Sequence, residues 1–220
     1  MPEQSAQPTN RLERRKQRTR AALITAAQGF IAAGKTAVPV LEITQAADVG
    51  MGSFYNHFQS KEQLFEAAVA DVLDAHGAML DHLTASIEDP AETFACSFRL
   101  TGRMFRARPR ESDILLANAM ALFGSDRGLA PRALRDIRAA IDAGRFHHDD
   151  PALALALAGG ALIAMGTVIR NEPDRDDGAT ADRVTEDLLR LYGVDAGEAA
   201  EICLRPLPEL QWPSVPNPAA

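Results

Sequence analysis

The sequence predicts an all-α fold, in which a three-helix head (residues 1–60) precedes a helical body (residues 61–204). Apolar residues recur every three or four positions through most of the 220-residue chain, the period of helices that bury one face. Glycines and Asp-Pro pairs separate these runs at helix-length intervals. Hydrophobic residues make up 46% of the chain, enough for a sizeable core. Residues 1–10 are polar and expected to be disordered, while residues 205–220 hold five prolines, which exclude a regular helix.

Three predicted helices make up the head. The first runs from Arg11 to Ala33, where Gly34 ends it, and its opening turns carry the basic run RLERRKQRTR. The second helix, Val40–Ala47, follows Pro39, and the third covers Gly50–Phe58. The last two helices flank a short turn, which is the arrangement of a helix-turn-helix unit.

The third helix has two unlike faces. At 100° per residue, Phe54 and Phe58 lie one turn apart on a common face, which fits packing against neighbouring helices. Gly52 and Asn56 lie on the opposite face, among small, polar and aromatic residues. That second face is suited to the major groove of DNA.

The segment ITQAADVGMGSFYNHFQSKEQLF resembles the TetR family of bacterial transcriptional regulators. The family pattern there is roughly I-A-x-x-A-G-V-S-x-G-[TS]-[LF]-Y-x-[HY]-F-x-[SN]-K-[ED]-x-L. Departures in the turn are Asp48, which replaces the usual glycine although Asp tolerates the left-handed conformation, and Gly50, which replaces a serine. The matching residues are Ile43, Ala47, Val49, Gly52, Ser53, Phe54, Tyr55, His57, Phe58, Ser60, Lys61, Glu62 and Leu64. The motif covers about the first third of the chain.

The resemblance implies phosphate contacts at Tyr55 and His57, and Lys61 begins the next helix within reach of the same backbone. Base reading is assigned by chemistry, because Asn56 can pair with adenine through two hydrogen bonds and Met51 can touch a thymine methyl. The basic run beside the motif is expected to follow the phosphates rather than form only a solvated face. The predicted DNA-binding residues are Arg14, Arg15, Arg18, Thr44, Met51, Gly52, Ser53, Tyr55, Asn56, His57 and Lys61.

Charge changes sign along the chain near the end of the head. The whole chain carries a net charge of −7, which argues against a nucleic-acid partner. Residues 1–61, however, hold eight Lys and Arg against four Asp and Glu, a net charge of +4, and the remainder holds 15 against 26, a net charge of −11. A basic head on an acidic body is typical of a DNA-binding unit joined to a separate regulatory domain.

The body is predicted to hold six helices and a short seventh. The first of them links head and body, because it begins beside the recognition helix and runs on for more than 20 residues. The predicted ranges are 61–87, 90–107, 111–123, 131–143, 151–170, 181–192 and 196–204.

Phenylalanines and methionines in the body form either an ordinary core or the wall of a ligand cavity. Polar residues among the apolar ones favour a cavity, since ligand pockets combine apolar walls with a few polar anchors. Arg103 could equally face water. The candidate pocket residues are His76, Phe94, Phe98, Arg99, Arg103, Phe105, Asn118, Met120, Phe123 and Met165.

The last two long helices are expected to form a homodimer contact, with glycines allowing close approach. The interval Pro151–Ile169 has no charged residue, but it is rich in alanine and holds three glycines, so a buried helix of a soluble protein is favoured over a membrane span. The candidate interface residues are Ala158, Leu162, Met165, Val184, Leu188 and Leu191.

Other features of the sequence carry little chemistry. The run His147-His148-Asp149-Asp150 has metal-ligand chemistry, but a tetrahedral site needs three or four converging ligands, so no metal or cofactor is expected. Cys96 and Cys203 lack ligand spacing and are expected to be buried free thiols. No catalytic motif is evident, and the polar N-terminus favours the cytoplasm.

The function predicted from these features is a dimeric regulator, most often a repressor, released from a pseudo-palindromic DNA operator by a small, largely apolar molecule. The alternative is a helical small-molecule-binding protein, or an enzyme, whose head no longer reads DNA. The basic head and the intact recognition helix argue against this alternative.

Overall fold

The computed structural model describes residues 9–118 and 128–209, and in these ranges every regular element is a helix, which confirms the all-α prediction. The helices are α1 Thr9–Ala32, α2 Val40–Ala46, α3 Met51–Tyr55, α4 Lys61–Thr84, α5 Pro90–Ala107, α6 Pro109–Ala117, α7 Leu129–Asp142, α8 Pro151–Asn171, α9 Asp177–Leu191 and α10 Ala196–Leu204. The recognition helix α3 is shorter than predicted, and α6 begins earlier, directly after α5.

Local chemistry sets the helix ends near the recognition helix. Asp48 has φ of 52°, so it adopts the left-handed conformation that a glycine usually takes in this turn. Ser60 Oγ accepts a hydrogen bond from the backbone N–H of Gln63 at 3.2 Å, and Gln63 Oε1 accepts one from the N–H of Gln59 at 2.7 Å. These two bonds cap the beginning of α4 and fix the connection from α3 to α4.

Four helices contribute side chains to the core of the head. Leu23 of α1, Ile43 of α2 and Phe54 of α3 are fully buried, and so is Leu64 of α4. The first turns of α4 therefore pack as part of the head, although the predicted boundary lies at residue 60. The division into two domains stays a prediction.

The body is built around α5, which packs against α6, α7, α8 and α9. Two glycines allow close packing there. A Cβ at Gly102 would lie 2.5 Å from the Cβ of Ala181, and a Cβ at Gly166 would lie 2.4 Å from the ring of Phe105. Gly166 thus accommodates a core aromatic of its own chain rather than a partner helix, and Phe105 is a core residue rather than a pocket residue.

Arg99 and Arg103 were expected at the pocket, but the structure places both at the α5–α9 contact. Arg99 Nε donates to Asp182 Oδ1 at 2.7 Å, and Arg103 Nη2 donates to Asp182 Oδ2 at 2.9 Å. Burial raises the pKa of Asp182, but the bonds and charges of the two arginines outweigh it and lower that pKa overall. Arg99 Nη1 also donates to the carbonyl of Arg205 at 2.9 Å, so Arg99 also holds the segment after α10.

Helix α8 buries one side only. It is long and apolar enough to cross a membrane by length and composition alone, with a mean hydropathy of 2.2, but this is weak evidence by itself. Only 28% of its most apolar window is buried, so the expectation of a buried helix is only partly met. The opposite side exposes large apolar residues, namely Leu153, Leu157 and Val168, at 51%, 38% and 36%.

The predicted dimer residues do not share this exposed side. Ala158 and Met165 face the core of their own chain, and Leu188 of α9 is only 5% exposed. These three assignments are therefore wrong, because buried side chains cannot meet a partner. Leu162 and Val184 are half-buried, and Leu191 is 55% exposed.

The two cysteines are free and buried, as predicted. Burial raises the pKa of both thiols to about 11, so both stay protonated and unreactive at neutral pH.

Candidate functional site

The exposed face of α3 holds the residues predicted to read bases. Tyr55 is 61% exposed and Met51 is 40% exposed, while Phe54 and Phe58 are buried with ring centroids 6.0 Å apart. A Cβ added at Gly52 would have no described atom within 4 Å, so this face is open to a close partner. The side-chain directions match the two-faced helix that the sequence predicts, and the DNA contacts themselves stay predictions.

The basic turns of α1 lie close to the C-terminal end of α3. The guanidinium carbon of Arg20 is 5.2 Å from the ring centroid of Phe58. Burial lowers the pKa of His57, and the charges of Lys16 and Arg20 lower it further. Because α1 continues from these residues through exposed basic positions, α1 forms a basic surface with His57 at its edge. The exposed residues Arg14, Arg15 and Arg18 belong to this basic surface. Two further predicted DNA contacts are half-buried: Ser53 within α3 and Lys61 at the beginning of α4.

Thr44 does not belong to this surface. Its side chain is buried, and Oγ1 donates to the carbonyl of Leu41 at 2.9 Å. The predicted phosphate contact at Thr44 is therefore wrong, because its only hydroxyl donor is already used inside the head.

Arg18→Ala is expected to weaken specific and non-specific DNA binding alike and to flatten the salt dependence by about one unit. The reason is that an exposed arginine on α1 contributes charge without reading bases. Operator and random-sequence titrations at several salt concentrations measure both effects. Arg138→Ala, an exposed arginine of α7 in the body, serves as the matched control. A changed base preference with an unchanged salt slope would show that the arm reads a groove.

A small cavity of about 70 Å³ lies between α4, α5, α7 and α8. Two of the candidate pocket residues, Phe94 and Phe98, line it, with ring centroids 6.0 Å apart and planes 31° from parallel. The remaining lining residues are Leu80, Asp81, Ser97, Thr101, Leu129, Arg132, Ala133, Asp136 and Leu162.

One end of this cavity is charged. Asp81 receives two arginines, with Arg132 Nε at 2.9 Å from Oδ2 and Arg135 Nη2 at 2.8 Å from Oδ1. Arg135 Nε also donates to Asp136 Oδ1 at 2.8 Å. The cavity therefore has mostly apolar walls and, at one end, acidic and basic groups that form hydrogen bonds.

The two carboxylates at this end differ in their acidity. Burial raises the pKa of Asp81, but the bonds and charges of Arg135 and Arg132 outweigh it, so the pKa falls overall. Burial also raises the pKa of Asp136, and there Arg135 offsets only part of the effect. Asp81 therefore stays ionised to a lower pH than Asp136.

The other predicted pocket residues lie elsewhere. His76 is buried behind Thr101, with Nε2 at 3.0 Å from Oγ1, and burial together with the charge of Arg108 lowers its pKa to about 4. Met165 packs in the core, and Asn118 Nδ2 donates to the carbonyl of Ile114 at the end of α6. Met120 and Phe123 lie outside the described residues.

The charged end of the cavity was not predicted from the sequence. One signal was available: Asp136 sits beside Ile137 on the buried side of α7, where an acid is out of place without a partner. Its spacing from Arg132, one helical turn, also places both on one side of α7.

The His147-His148 loop is used for packing. The backbone N–H of His147 donates to the carbonyl of Tyr192 at 2.7 Å, and the ring of His148 meets the ring of Tyr192 edge-on at 6.0 Å. Among the described residues, no group of three or more His, Cys, Asp and Glu side chains is placed to hold a metal ion.

Comparison with known families decides the classification. Residues 23–68 match the family described as bacterial regulatory proteins, tetR family, and residues 89–205 match the tetracyclin repressor-like C-terminal domain. The chain belongs to the tetR family. The two matched segments correspond to the head and the body of the fold.

Several tetR-family proteins of known structure or function are similar to the chain. The crystal structure of RolR in complex with resorcinol is 35% identical, with 90% of this chain and 98% of that chain aligned and a TM-score of 0.63. RolR without ligand is 36% identical, with 86% and 98% aligned and a TM-score of 0.71. The transcriptional repressor KstR2 of Mycolicibacterium smegmatis is 36% identical over 77 residues, which span 33% of this chain and 38% of that repressor.

These tetR-family relatives confirm the predicted class, a ligand-responsive, DNA-binding transcriptional repressor.

Proposed function

We propose that the protein is a dimeric cytoplasmic repressor that leaves its operator when a small hydroxylated aromatic molecule enters the cavity between α4, α5, α7 and α8. The observation that carries the proposal is the combination of an apolar box with the charged end at Asp81. The role is binding and signalling, without catalysis or a cofactor.

The size of the cavity limits the effector to a small molecule. Its volume of about 70 Å³ is less than the roughly 150 Å³ of an engineered cavity that holds benzene. It is also well below the roughly 300–1,000 Å³ of pockets for drug-sized ligands. A single aromatic ring therefore needs outward movement of the walls, and a long acyl chain would need a much larger rearrangement.

The lining selects for a ring with hydroxyl groups. The rings of Phe94 and Phe98 offer aromatic surface for stacking or edge contacts. Asp81 can accept a hydrogen bond from a hydroxyl, and Arg132 can donate to one. RolR, whose structure holds resorcinol, a benzene ring with two hydroxyls, supports this class of molecule.

The DNA partner is proposed to be a pseudo-palindromic operator that two heads bind together. The exposed face of α3 would enter the major groove, and the basic surface of α1 with His57 would follow the phosphates. A gel-shift assay with the DNA flanking its own gene tests this step. A protein that binds no such DNA more tightly than random sequence would favour the alternative, a small-molecule-binding protein whose head no longer reads DNA.

Ala133→Leu tests the cavity. The larger side chain would fill a space of only about 70 Å³, so resorcinol affinity is expected to fall at least about tenfold, or about 1.4 kcal/mol. Operator binding without resorcinol should stay near wild type. Calorimetry measures the first quantity and operator titration the second. Ala139→Leu, the same change at an exposed position of α7, is the control.

Hydroxyl recognition is tested by comparing resorcinol, phenol and benzene on the wild-type protein. Affinity is expected to fall as hydroxyls are removed, because Asp81 and Arg132 lose a partner. If neither resorcinol nor its two dihydroxybenzene isomers binds the protein or releases DNA, the proposed effector class is wrong.

A further inference from the structure

Arg132 of α7 lies directly across α4 at Gly77. A Cβ on Gly77 would lie 2.7 Å from Arg132 Cδ and 2.8 Å from both Nε and Nη1, so only glycine leaves room for this side chain. Arg132 Nε donates to Asp81 at 2.9 Å, and Nη1 lies 3.4 Å from Asp74 Oδ1. The guanidinium thus bridges two acids of α4, about one turn on either side of the glycine.

Asp74 also holds the first turn of α7. The backbone N–H of Gly128 donates to Asp74 Oδ1 at 2.8 Å, and Arg132 Nη1 donates to the carbonyl of Gly128 at 2.7 Å. These contacts join the beginning of α7 to the middle of α4. We call this group the α4 clamp; it consists of Asp74, Gly77, Gly128 and Arg132.

The α4 clamp touches the cavity at one point only. Arg132 lines the cavity, whereas Asp74 and Gly77 are not among its lining residues. A ring in so small a space must push on its walls, and a hydroxyl donated to Asp81 weakens the bond that Arg132 makes there. Both effects would displace the Arg132 side chain from its position against Gly77.

The other end of α4 is held in the head. Leu64 is fully buried in the same core as Phe54 of the recognition helix. Gln28 Nε2 of α1 donates to the carbonyl of Ala68 at 3.2 Å and lies 3.3 Å from Asp71 Oδ2. A shift of α4 therefore moves the head as a unit.

We propose that the α4 clamp sets the protein in its DNA-binding state and that Arg132 is the positioning residue through which the effector releases it. This inference rests on the proposed function for the identity of the effector. Two states follow, a clamped one that binds DNA and a released one that binds the effector better.

Gly77→Ala and Asp74→Asn test the clamp from outside the cavity. Gly77→Ala displaces the guanidinium, and Asp74→Asn removes a charge while keeping the side-chain shape. Weakening the clamped state should change the two affinities in opposite directions: operator affinity without effector should fall and resorcinol affinity should rise, each by up to about 150-fold. Ala78→Ser, which adds one atom on the exposed side of the same turn, is the control and should change neither.

The measurements are operator titration, resorcinol calorimetry and thermal unfolding of each variant. Asp74→Asn is decisive for coupling, because Asp74 does not line the cavity. If this variant loses affinity for both DNA and resorcinol, or changes DNA affinity alone, the clamp is overturned as a coupling device. If Gly77→Ala does not fold, Asp74→Asn decides. If wild-type protein does not bind resorcinol, the effector class fails, while the operator titrations still decide whether the clamp supports DNA binding: wild-type operator affinity in both variants would overturn it.

Discussion

Leu157→Arg is expected to convert the protein into a monomer and to lower its affinity for a two-fold operator by about 10²–10⁴-fold. Leu157 lies in the middle of the exposed side of α8, between Leu153 and Val168. A charge there cannot be buried against a symmetry mate without a large desolvation cost. Each head would then bind its half-site alone and lose the gain from joint binding.

Light scattering gives the oligomeric state of this variant, and operator titration gives the affinity. Leu204→Arg is the control, because Leu204 is 83% exposed at the end of α10, away from α8. A change at Leu188 would be a poor test, since a buried arginine would damage the fold itself. A stable Leu157→Arg dimer would place the interface on another face.

Asn56→Ala is expected to remove selective operator binding while non-specific DNA binding and resorcinol affinity stay near wild type. Asn56 is exposed directly after α3, beside Tyr55, so its loss should cost little stability. A bidentate contact from Asn to adenine is worth about 1–3 kcal/mol, and a dimer loses it twice, about 2–6 kcal/mol in all. The ratio of operator to random-sequence affinity should fall accordingly.

Competition titrations with operator and random DNA measure that ratio for Asn56→Ala. Asn171→Ala, the same substitution at an exposed position at the end of α8, should leave the ratio unchanged. If Asn56→Ala keeps full selectivity, base reading falls to Met51, Ser53 or the shape of the DNA.

Local patterns in the sequence determined the helices and the DNA-binding head. Apolar period, Asp-Pro caps and the Ser60 cap act within one turn, so they can be read without knowing the fold. The left-handed turn at Asp48 and the buried pair Phe54 and Phe58 belong to the same class. The family resemblance rests on these residues, which is why the class of function was predictable.

Tertiary structure decided which faces are buried. The alanines, leucines and glycines of α8 lie on every side of the helix, so its sequence has no polar stripe that would mark the solvent side. Packing against the rest of the body selects the side with Ala158 and Met165, so these two residues, predicted at a dimer contact, are buried in their own chain. In the same way, Asp182 of α9 binds Arg99 through a pair 83 residues apart, and Arg99 does not line the cavity beside Phe94 and Phe98.

The cavity between α4, α5, α7 and α8 shows the same limit most clearly. Phe94 and Phe98 were predictable, because they follow the period of a single helix. The charged end was not, since Arg132 and Asp81 are 51 residues apart and meet only because Gly77 lets α7 lie against α4. An arginine in isolation reads as a solvated charge, and only the approach of a second helix makes it a partner.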